Sequence, residues 1–169
     1  MNPQVSIIMG SLSDMPVMEE AARFLDQMEI PFEMNALSAH RTPGRVAAYA
    51  GEASQRGIKV IIAGAGGAAH LPGVIAAYTG IPVIGVPIQS SHSLAGLDSI
   101  LSILQMPSGI PVATMALDGA RNAAIFAARI LALSNSELNK KMQDFQLSLG
   151  RKVEEANESV KDIKYRFKI

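Results

Sequence analysis

Three short segments contain the residue types that can bind a phosphorylated ligand and move a proton. They are GSLSD at residues 10–14, SAHRTP at residues 38–43 and GAGGAAHLPG at residues 64–73. The first and third follow short apolar runs and the second follows a weaker strand pattern at Phe32–Leu37, so we predict that each forms a loop at the end of a strand. Ligands of open α/β sheets bind beyond such strand ends, which makes these loops the candidate site.

The first segment places hydroxyl groups and a carboxylate at the start of a helix. Ser11 and Ser13 can donate hydrogen bonds to an anion beside exposed backbone N–H groups. Asp14 would repel a phosphate, but its carboxylate suits the hydroxyl groups of a ribose. The alternative is that Ser13 or Asp14 is simply the N-cap of the helix, and both interpretations stay open.

The second segment places a histidine beside an arginine. Arg41 carries a planar guanidinium suited to bidentate recognition of phosphate. A histidine can gain or lose a proton near neutral pH, so His40 is a candidate general acid/base, although a structural histidine is equally compatible with this position. Pro43 should be the first residue of the next helix, with Thr42 as its cap.

The third segment is rich in small residues, which would let the backbone approach a ligand closely. It fits the dinucleotide pattern G-x-G-x-x-A, but that pattern needs an acidic residue about 20 positions later. No acidic residue lies between Glu52 and Asp98, so we reject the dinucleotide site. The GK[ST] ending of an ATP loop is also missing. His70 either contacts the ligand or caps the next helix.

Several other chemistries lack the residues they need. The chain has three histidines, His40, His70 and His92, and no cysteine. Their spacing matches no metal motif, so we predict no metal site. No GxSxG elbow is present, which argues against a hydrolase triad. His92 follows the fourth predicted strand, and we expect it at the periphery of the site.

Apolar runs alternate with helical patterns along the chain. The strands are predicted at Val5–Met9, Phe32–Leu37, Val60–Ala63, Val83–Val86 and Val112–Met115. Helices are predicted at about 16–28, 44–55, 94–104 and 120–133, and a further helix after the third strand ends at about residue 78. This alternation predicts an α/β fold, a flavodoxin-like three-layer sandwich with a five-stranded parallel sheet in the order 2-1-3-4-5. In that order the first three loops converge on one crevice.

The composition favours a cytoplasmic domain that associates with itself. Of 169 residues, 49% are hydrophobic and only 18% are charged, so apolar surface must be hidden somewhere. Basic and acidic residues number 15 each, which gives no global positive field for nucleic acid. The amino terminus resembles no secretory signal, and Gly and Pro interrupt every long apolar stretch, so we expect no contact with a membrane.

The last residues form a second region. We predict a domain at residues 1–134 and a helical extension at residues 135–169. Apolar residues recur there every three or four positions, which indicates an amphipathic helix of about 30 residues, interrupted near Gly150. We expect its apolar stripe to pack on a neighbouring subunit. The alternative is that the helix folds back on its own domain.

Together with PVIGVP (82–87), LDSILSILQMPSGIPVAT (97–114) and GARNAA (119–124), the three loop segments resemble the bacterial PurE family over residues 5–133. The resemblance implies an isomerase of de novo purine biosynthesis. This enzyme converts N5-carboxyaminoimidazole ribonucleotide to 4-carboxy-5-aminoimidazole ribonucleotide without ATP, metal or organic cofactor. It also implies a homo-octamer in which the C-terminal helix reaches a neighbouring subunit, and transient contact with the upstream synthase.

The resemblance also implies roles for individual residues. His40 corresponds to the family's general acid/base. The nucleotide-binding residues correspond to Ser11, Ser13, Asp14, Ser38 and Arg41. The wall around the base and its carboxylate corresponds to Ala65, Gly66, Gly67, His70 and Leu71.

Three alternatives are open. A second branch of the family carboxylates aminoimidazole ribonucleotide directly with CO2, but it usually has Lys in place of Arg41. A nucleotide- or FMN-binding module without enzymatic activity is a different class, although the chain has no Trp and only 5% aromatic residues to stack on a flavin. A third reading is an interaction domain whose tail is the functional part.

Overall fold

The computed structural model describes residues 2–91 and 93–167. The chain divides between Leu131 and Ala132 into two compact units. The larger, N-terminal unit contains all of the strands in the described residues, and the smaller unit consists mainly of one long helix.

Five strands form the parallel sheet of the larger unit. They are β1 (Val5–Met9), β2 (Phe32–Ala36), β3 (Val60–Gly66), β4 (Val83–Ile88) and β5 (Ala113–Thr114). Their order is β2-β1-β3-β4-β5, and every neighbouring pair is parallel. The predicted sheet and strand order are therefore confirmed. Since β1 and β3 lie inside the sheet, their Val- and Ile-rich runs are buried on both faces.

Helices connect the strands. They are α1 (Met15–Gln27), α2 (Pro43–Glu52), α3 (Leu71–Tyr78), α4 (Leu97–Leu104) and α5 (Ala120–Ala132). Residues of α2, α3 and α4 share one hydrophobic cluster with the sheet. In α1, the apolar residues predicted from their three- and four-residue spacing are buried, including Met18, Ala21 and Leu25. This arrangement is the three-layer fold that the sequence predicted.

Glycines in the central strands bring helices close to the sheet. A Cβ atom at Gly64 would lie 2.4 Å from the Met18 Sδ atom, and one at Gly85 would lie 2.5 Å from the Ile103 Cγ2 atom. No side chain fits at either position without displacing a neighbour. The small residues therefore set how closely α1 and α4 approach the strands.

Several boundaries differ from the prediction, and two of them have clear local reasons. Strand β3 continues three residues further, because Gly64, Ala65 and Gly66 still pair with β4. Helix α4 begins at Leu97 rather than near Leu94. Ala95 and Gly96 have φ angles of 53° and 81°, in the left-handed region that no right-handed helix contains.

Helix α6 (Ser136–Lys161) makes up most of the smaller unit. The predicted interruption near Gly150 is wrong, because the helix runs through this residue without a break. A glycine inside a helix costs only about 1 kcal/mol relative to alanine, which the surrounding helix-forming residues can offset. The Asn135 side chain caps its start by accepting a hydrogen bond from the Leu138 N–H at 3.0 Å. Among the described residues, no helix combines the length and the apolar character needed to cross a membrane.

Candidate active site

A cavity of about 370 Å³ lies at the carboxyl ends of the strands in the larger unit. The loops after β1, β2 and β3 line it, because β1 lies between β2 and β3 in the sheet. All of the predicted site residues except Gly67 line this cavity: Ser11, Ser13, Asp14, Ser38, His40, Arg41, Ala65, Gly66, His70 and Leu71. The structure therefore brings the three predicted loops together at one place.

The imidazoles of His40 and His70 form a hydrogen-bonded pair at this cavity. The Nε2 atom of His40 lies 2.8 Å from the Nδ1 atom of His70. The ring planes are almost perpendicular, at 80°, with centroids 5.0 Å apart. One nitrogen must donate and the other must accept, so each ring constrains the orientation and tautomer of the other. Although His70 occupies the N-cap position of α3, its side chain does not cap that helix.

A strained turn places His70. The backbone of Gly67 and Ala69 is left-handed, with φ angles of 61° and 41°, and the Ala69 N–H donates to the Gly66 carbonyl at 3.2 Å. Positive φ is uncommon for a residue with a Cβ atom, and such strain is typical of functional sites. The turn reverses the chain after β3, so that His70 faces the loop after β2.

The loop after β2 is held together by Ser38, Arg41 and Thr42. The Ser38 Oγ atom accepts hydrogen bonds from the backbone N–H of Arg41 at 3.2 Å and from its Nε at 3.4 Å. The Thr42 hydroxyl donates to the Ser38 carbonyl at 3.0 Å, so it does not cap α2 as predicted. Pro43 is the first residue of α2, as predicted.

The guanidinium of Arg41 is available at the cavity. Its only other protein contact within the described part of the chain is a long one, from Nη2 to the Gly10 carbonyl at 3.5 Å. No carboxylate within residues 2–91 and 93–167 forms an ion pair with it. The cation therefore lies between the loops after β1 and β2 with most of its donors free for an anionic ligand.

The loop after β1 forms a reciprocal capping arrangement around a short 3-10 helix, Leu12–Asp14. The Ser11 Oγ atom accepts from the Ser13 N–H at 3.4 Å, and the Asp14 Oδ2 atom accepts from the Ser11 N–H at 3.1 Å. Ser11 thus caps the short 3-10 helix. Asp14 occupies the predicted N-cap position of α1, but its side chain makes no cap hydrogen bond to that helix. The Ser13 hydroxyl points to the Asp14 Oδ1 atom at 3.4 Å.

The carboxyl group of Asp14 is buried at the edge of the cavity, with 6% of the residue exposed. Loss of hydration raises its pKa above the ordinary value of 3.8, although hydrogen bonds from Ser11, Ser13 and Gly10 oppose this rise. A partly dehydrated carboxylate is a strong acceptor for ligand hydroxyl groups. This environment suits a sugar and disfavours a phosphate at the same point.

Ser90 also lines the cavity, from the loop after β4, and the sequence analysis did not single it out. The sequence feature that could have identified Ser90 is its place in the loop after the fourth predicted strand, at the same edge of the sheet as the other loops. His92 was the residue predicted in this loop, and it lies outside the described residues.

The cavity combines an arginine, several hydroxyl groups, a buried carboxylate, two imidazoles and a wall of small residues. Within the described part of the chain, no group of three or more histidine, aspartate and glutamate side chains is placed to hold a metal ion. The fold is that of a flavodoxin-like α/β protein, and the cavity at the ends of its strands is a candidate small-molecule site. A sequence model of the family described as AIR carboxylase matches residues 4–152, so the chain belongs to this family.

Similar proteins cover most of the chain. A protein of Pyrococcus horikoshii named N5-carboxyaminoimidazole ribonucleotide mutase is 60% identical over 90% of this chain and 86% of its own length. A Candida glabrata protein named phosphoribosylaminoimidazole carboxylase is 58% identical over 85% of this chain, which spans only 25% of that larger protein. The crystal structure of Treponema denticola PurE has a TM-score of 0.84 at 33% identity, covering 94% of this chain and 99% of that one.

Proposed function

We propose that this chain converts N5-carboxyaminoimidazole ribonucleotide to 4-carboxy-5-aminoimidazole ribonucleotide, with His40 as the general acid/base. Family membership and the 60% identity to a protein named as this mutase make the chain an isomerase of purine biosynthesis. The observation that supports the residue assignment is the exposed His40 imidazole at the cavity, held by His70 and adjacent to the free guanidinium of Arg41.

In the proposed reaction, His40 transfers one proton in each direction. It protonates N5 as the bond from N5 to the carboxylate carbon breaks, the bonding electrons stay on N5, and CO2 is released within the cavity. C4 of the electron-rich ring then attacks CO2 to form the new carbon–carbon bond, and His40 takes the proton that C4 loses. Charge and protons balance, so a single imidazole can serve both steps.

The proposed substrate lies across the three loops. The Arg41 guanidinium, with the hydroxyl groups of Ser11, Ser13 and Ser38, binds the phosphate, since Arg41 has no competing carboxylate among the described residues. Asp14 accepts hydrogen bonds from the ribose hydroxyl groups, because its carboxylate lacks full hydration. These contacts hold the aminoimidazole ring of the substrate in a fixed position next to His40.

Small and apolar residues enclose the base and the migrating group in this proposal. Ala65, Gly66 and Leu71 form that wall, and Ala65 and Leu71 are only 5% and 3% exposed. A wall of this kind lets so small a molecule as CO2 stay against C4 and keeps water away from it. His70 contributes by holding the His40 ring in place.

The second candidate is direct carboxylation of aminoimidazole ribonucleotide with CO2. The Candida glabrata relative, which is named phosphoribosylaminoimidazole carboxylase, favours this reaction. Arg41 favours the mutase, because the carboxylating branch usually has Lys at this position. The two activities differ in the substrate consumed. A mutase interconverts the two carboxylated isomers at low bicarbonate, whereas the carboxylase consumes aminoimidazole ribonucleotide at a rate that rises with bicarbonate.

We also propose that the chain works in the cytoplasm as a homo-oligomer, an octamer, that contacts the upstream synthase transiently. Helix α6 exposes Leu147, Val153 and Val160, by 63%, 69% and 49%. In the larger unit, α4 exposes Leu97 and Leu104, by 56% and 59%. Apolar surface of this extent favours burial against other copies of the chain.

The oligomer can be tested with two variants of matched charge in α6. Val153→Glu places a carboxylate on the apolar stripe and should lower the mass measured by light scattering after size exclusion. Asn157→Glu adds the same charge at an exposed polar position and should leave that mass unchanged. A wild-type mass equal to one chain would contradict the proposal, as would an unchanged mass for Val153→Glu.

A further inference from the structure

The side of the cavity next to β4 carries one hydroxyl group, that of Ser90. Its side chain lies directly against the Gly66 backbone, because a Cβ atom at Gly66 would be 2.9 Å from the Ser90 Cβ atom and 3.3 Å from its Oγ atom. Among the described residues the Ser90 hydroxyl has no hydrogen-bond partner. A partly buried hydroxyl of this kind is free to donate to a ligand.

The backbone around Ser90 is fixed on both sides. The N–H of Gln89 donates to the Asp118 Oδ1 atom at 3.0 Å, and the carbonyl of Ile88 accepts from the buried Ser99 hydroxyl at 3.1 Å. The Ser90 carbonyl itself accepts from the Ser93 N–H at 3.0 Å. The backbone that carries the Ser90 side chain is therefore held in a defined position before any ligand binds, as in preorganised sites.

Asp118 contributes to this support at some conformational cost. Its φ angle is 56°, in the left-handed region, and its N–H donates to the Pro87 carbonyl at 2.8 Å. It therefore bonds to residues on β4 and directly after it, through both its backbone and its side chain. Strain of this kind persists where the surrounding structure requires it.

The position of Ser90 in the sheet indicates which part of a substrate it meets. The groups assigned to phosphate and ribose follow β1 and β2, whereas Ser90 follows β4, two strands beyond β1. Adjacent strands lie about 4.8 Å apart, so Ser90 is roughly 10 Å across the cavity from the loop after β1. A nucleotide held by its phosphate and ribose would direct its base and the group attached to the base toward Ser90.

We propose that Ser90 binds the carboxylate that is transferred, by donating a hydrogen bond from its hydroxyl to a carboxylate oxygen. This inference rests on the proposed function and adds a binding residue to it. The transferred carboxylate is an anion while it is bonded to N5, becomes neutral CO2 when that bond breaks, and is an anion again once it is bonded to C4. A donor fixed against Gly66 keeps it beside C4 through all three states, so fewer molecules escape as CO2.

The test compares Ser90→Ala with wild type and with Ser54→Ala, a matched control at an exposed serine outside the cavity. Loss of one hydrogen bond to a charged group should lower kcat/KM for N5-carboxyaminoimidazole ribonucleotide about tenfold. The fraction of turnovers that end as free aminoimidazole ribonucleotide should rise. The dissociation constant of aminoimidazole ribonucleotide, which has no carboxylate, should change by less than about twofold.

The controls separate failure of this inference from failure of the proposed function. If wild type does not interconvert the isomers, the proposed function is wrong. If wild type and Ser54→Ala are active and Ser90→Ala matches them in kcat/KM and in the released fraction, Ser90 does not bind the carboxylate. An equal loss of affinity for aminoimidazole ribonucleotide would also overturn the assignment, because the hydroxyl would then bind the nucleotide itself.

Discussion

The Nε2 atom of His40 and the Nδ1 atom of His70 lie 2.8 Å apart, so the two imidazoles form one hydrogen-bonded unit. They come from the loops after β2 and β3, which are the strands on either side of β1. The pair therefore spans the carboxyl end of β1 and lines the cavity. A general acid/base protonates one atom and deprotonates another, so a hydrogen bond that fixes the orientation of its ring favours both steps.

The first prediction concerns His70 as a positioning residue for His40. His70→Ala removes the partner of the Nε2 atom, so we expect kcat to fall about tenfold to a hundredfold with a smaller change in KM. His70→Asn keeps a polar atom near the position of Nδ1 and should recover part of the loss. Steady-state rates across pH and the melting temperature of both variants provide the measurement. Wild-type kcat and an unchanged pH profile in His70→Ala would contradict this role.

The second prediction concerns the stability contributed by Asp14. Burial raises the pKa of its carboxyl group above 3.8 in the folded protein, so the unfolded chain ionises first as the pH rises. The free energy of unfolding should therefore decrease as the pH rises through 3.8, until the folded carboxyl group also ionises. Asp14→Asn lacks this penalty and should be at least as stable as wild type at pH 7.

Urea unfolding of wild type and Asp14→Asn at several pH values measures this effect. The stability difference should be largest at neutral pH and should vanish in acid, where the wild-type carboxyl group is protonated in both states. The variant should also bind the ribonucleotide about tenfold more weakly, since an amide is a poorer acceptor for ribose hydroxyl groups. Lower stability of the variant at pH 7 would show that the hydrogen bonds from Ser11 and Ser13 outweigh burial.

The third prediction separates binding from stability at Arg41. Arg41→Ala should raise KM at least tenfold, because the guanidinium is assigned to the substrate phosphate. The melting temperature should change little, since within residues 2–91 and 93–167 the exposed side chain makes only long hydrogen bonds, at 3.4 and 3.5 Å. Arg45→Ala, at another exposed arginine in the first turn of α2, is the matched control and should leave KM unchanged. An unaltered KM in Arg41→Ala would exclude the phosphate role.

The fourth prediction tests close packing between the sheet and α1. Gly64→Ala places a Cβ atom 2.4 Å from the Met18 Sδ atom and 2.9 Å from the Ile88 Cδ1 atom. Overpacking of this kind should lower the free energy of unfolding by about 1–3 kcal/mol. Gly44→Ala, where no atom lies within 4 Å, should be neutral or stabilising by up to about 1 kcal/mol, because alanine favours the helix. Equal stability of both variants in urea would contradict the packing argument.

The sheet could be predicted because most of the strands are separate apolar runs bounded by Gly, Pro or polar residues, although β2 is a weaker pattern that contains Glu33 and Asn35. Right-handed connections then leave few orders for five parallel strands. The end of β3 was less predictable, since Gly64 and Gly66 resemble loop residues until their pairing with β4 is known. Gly150 shows the opposite case, because a glycine does not end a helix when its neighbours continue the pattern.

The residues of the cavity could be predicted as a set, but their contacts could not. The His40–His70 hydrogen bond depends on the left-handed backbone of Ala69, and an alanine gives no sequence signal for that conformation. Ser11 and Asp14 form a capping pair whose direction depends on a short 3-10 helix. Ser90 lies in a loop with several serines, and it comes to lie against Gly66 only because the register of β3 against β4 pairs Gly66 with Ile88, two residues earlier.

The most direct test measures interconversion of the two carboxylated isomers by wild type and by His40→Asn, followed by absorbance at low bicarbonate without ATP or added metal. We predict rapid interconversion by wild type, and at least a hundredfold lower kcat in the variant, with similar substrate affinity and melting temperature. Near-normal turnover in His40→Asn would remove His40 from the mechanism. Consumption of aminoimidazole ribonucleotide alone, at a rate rising with bicarbonate, would contradict the mutase and identify the carboxylating branch.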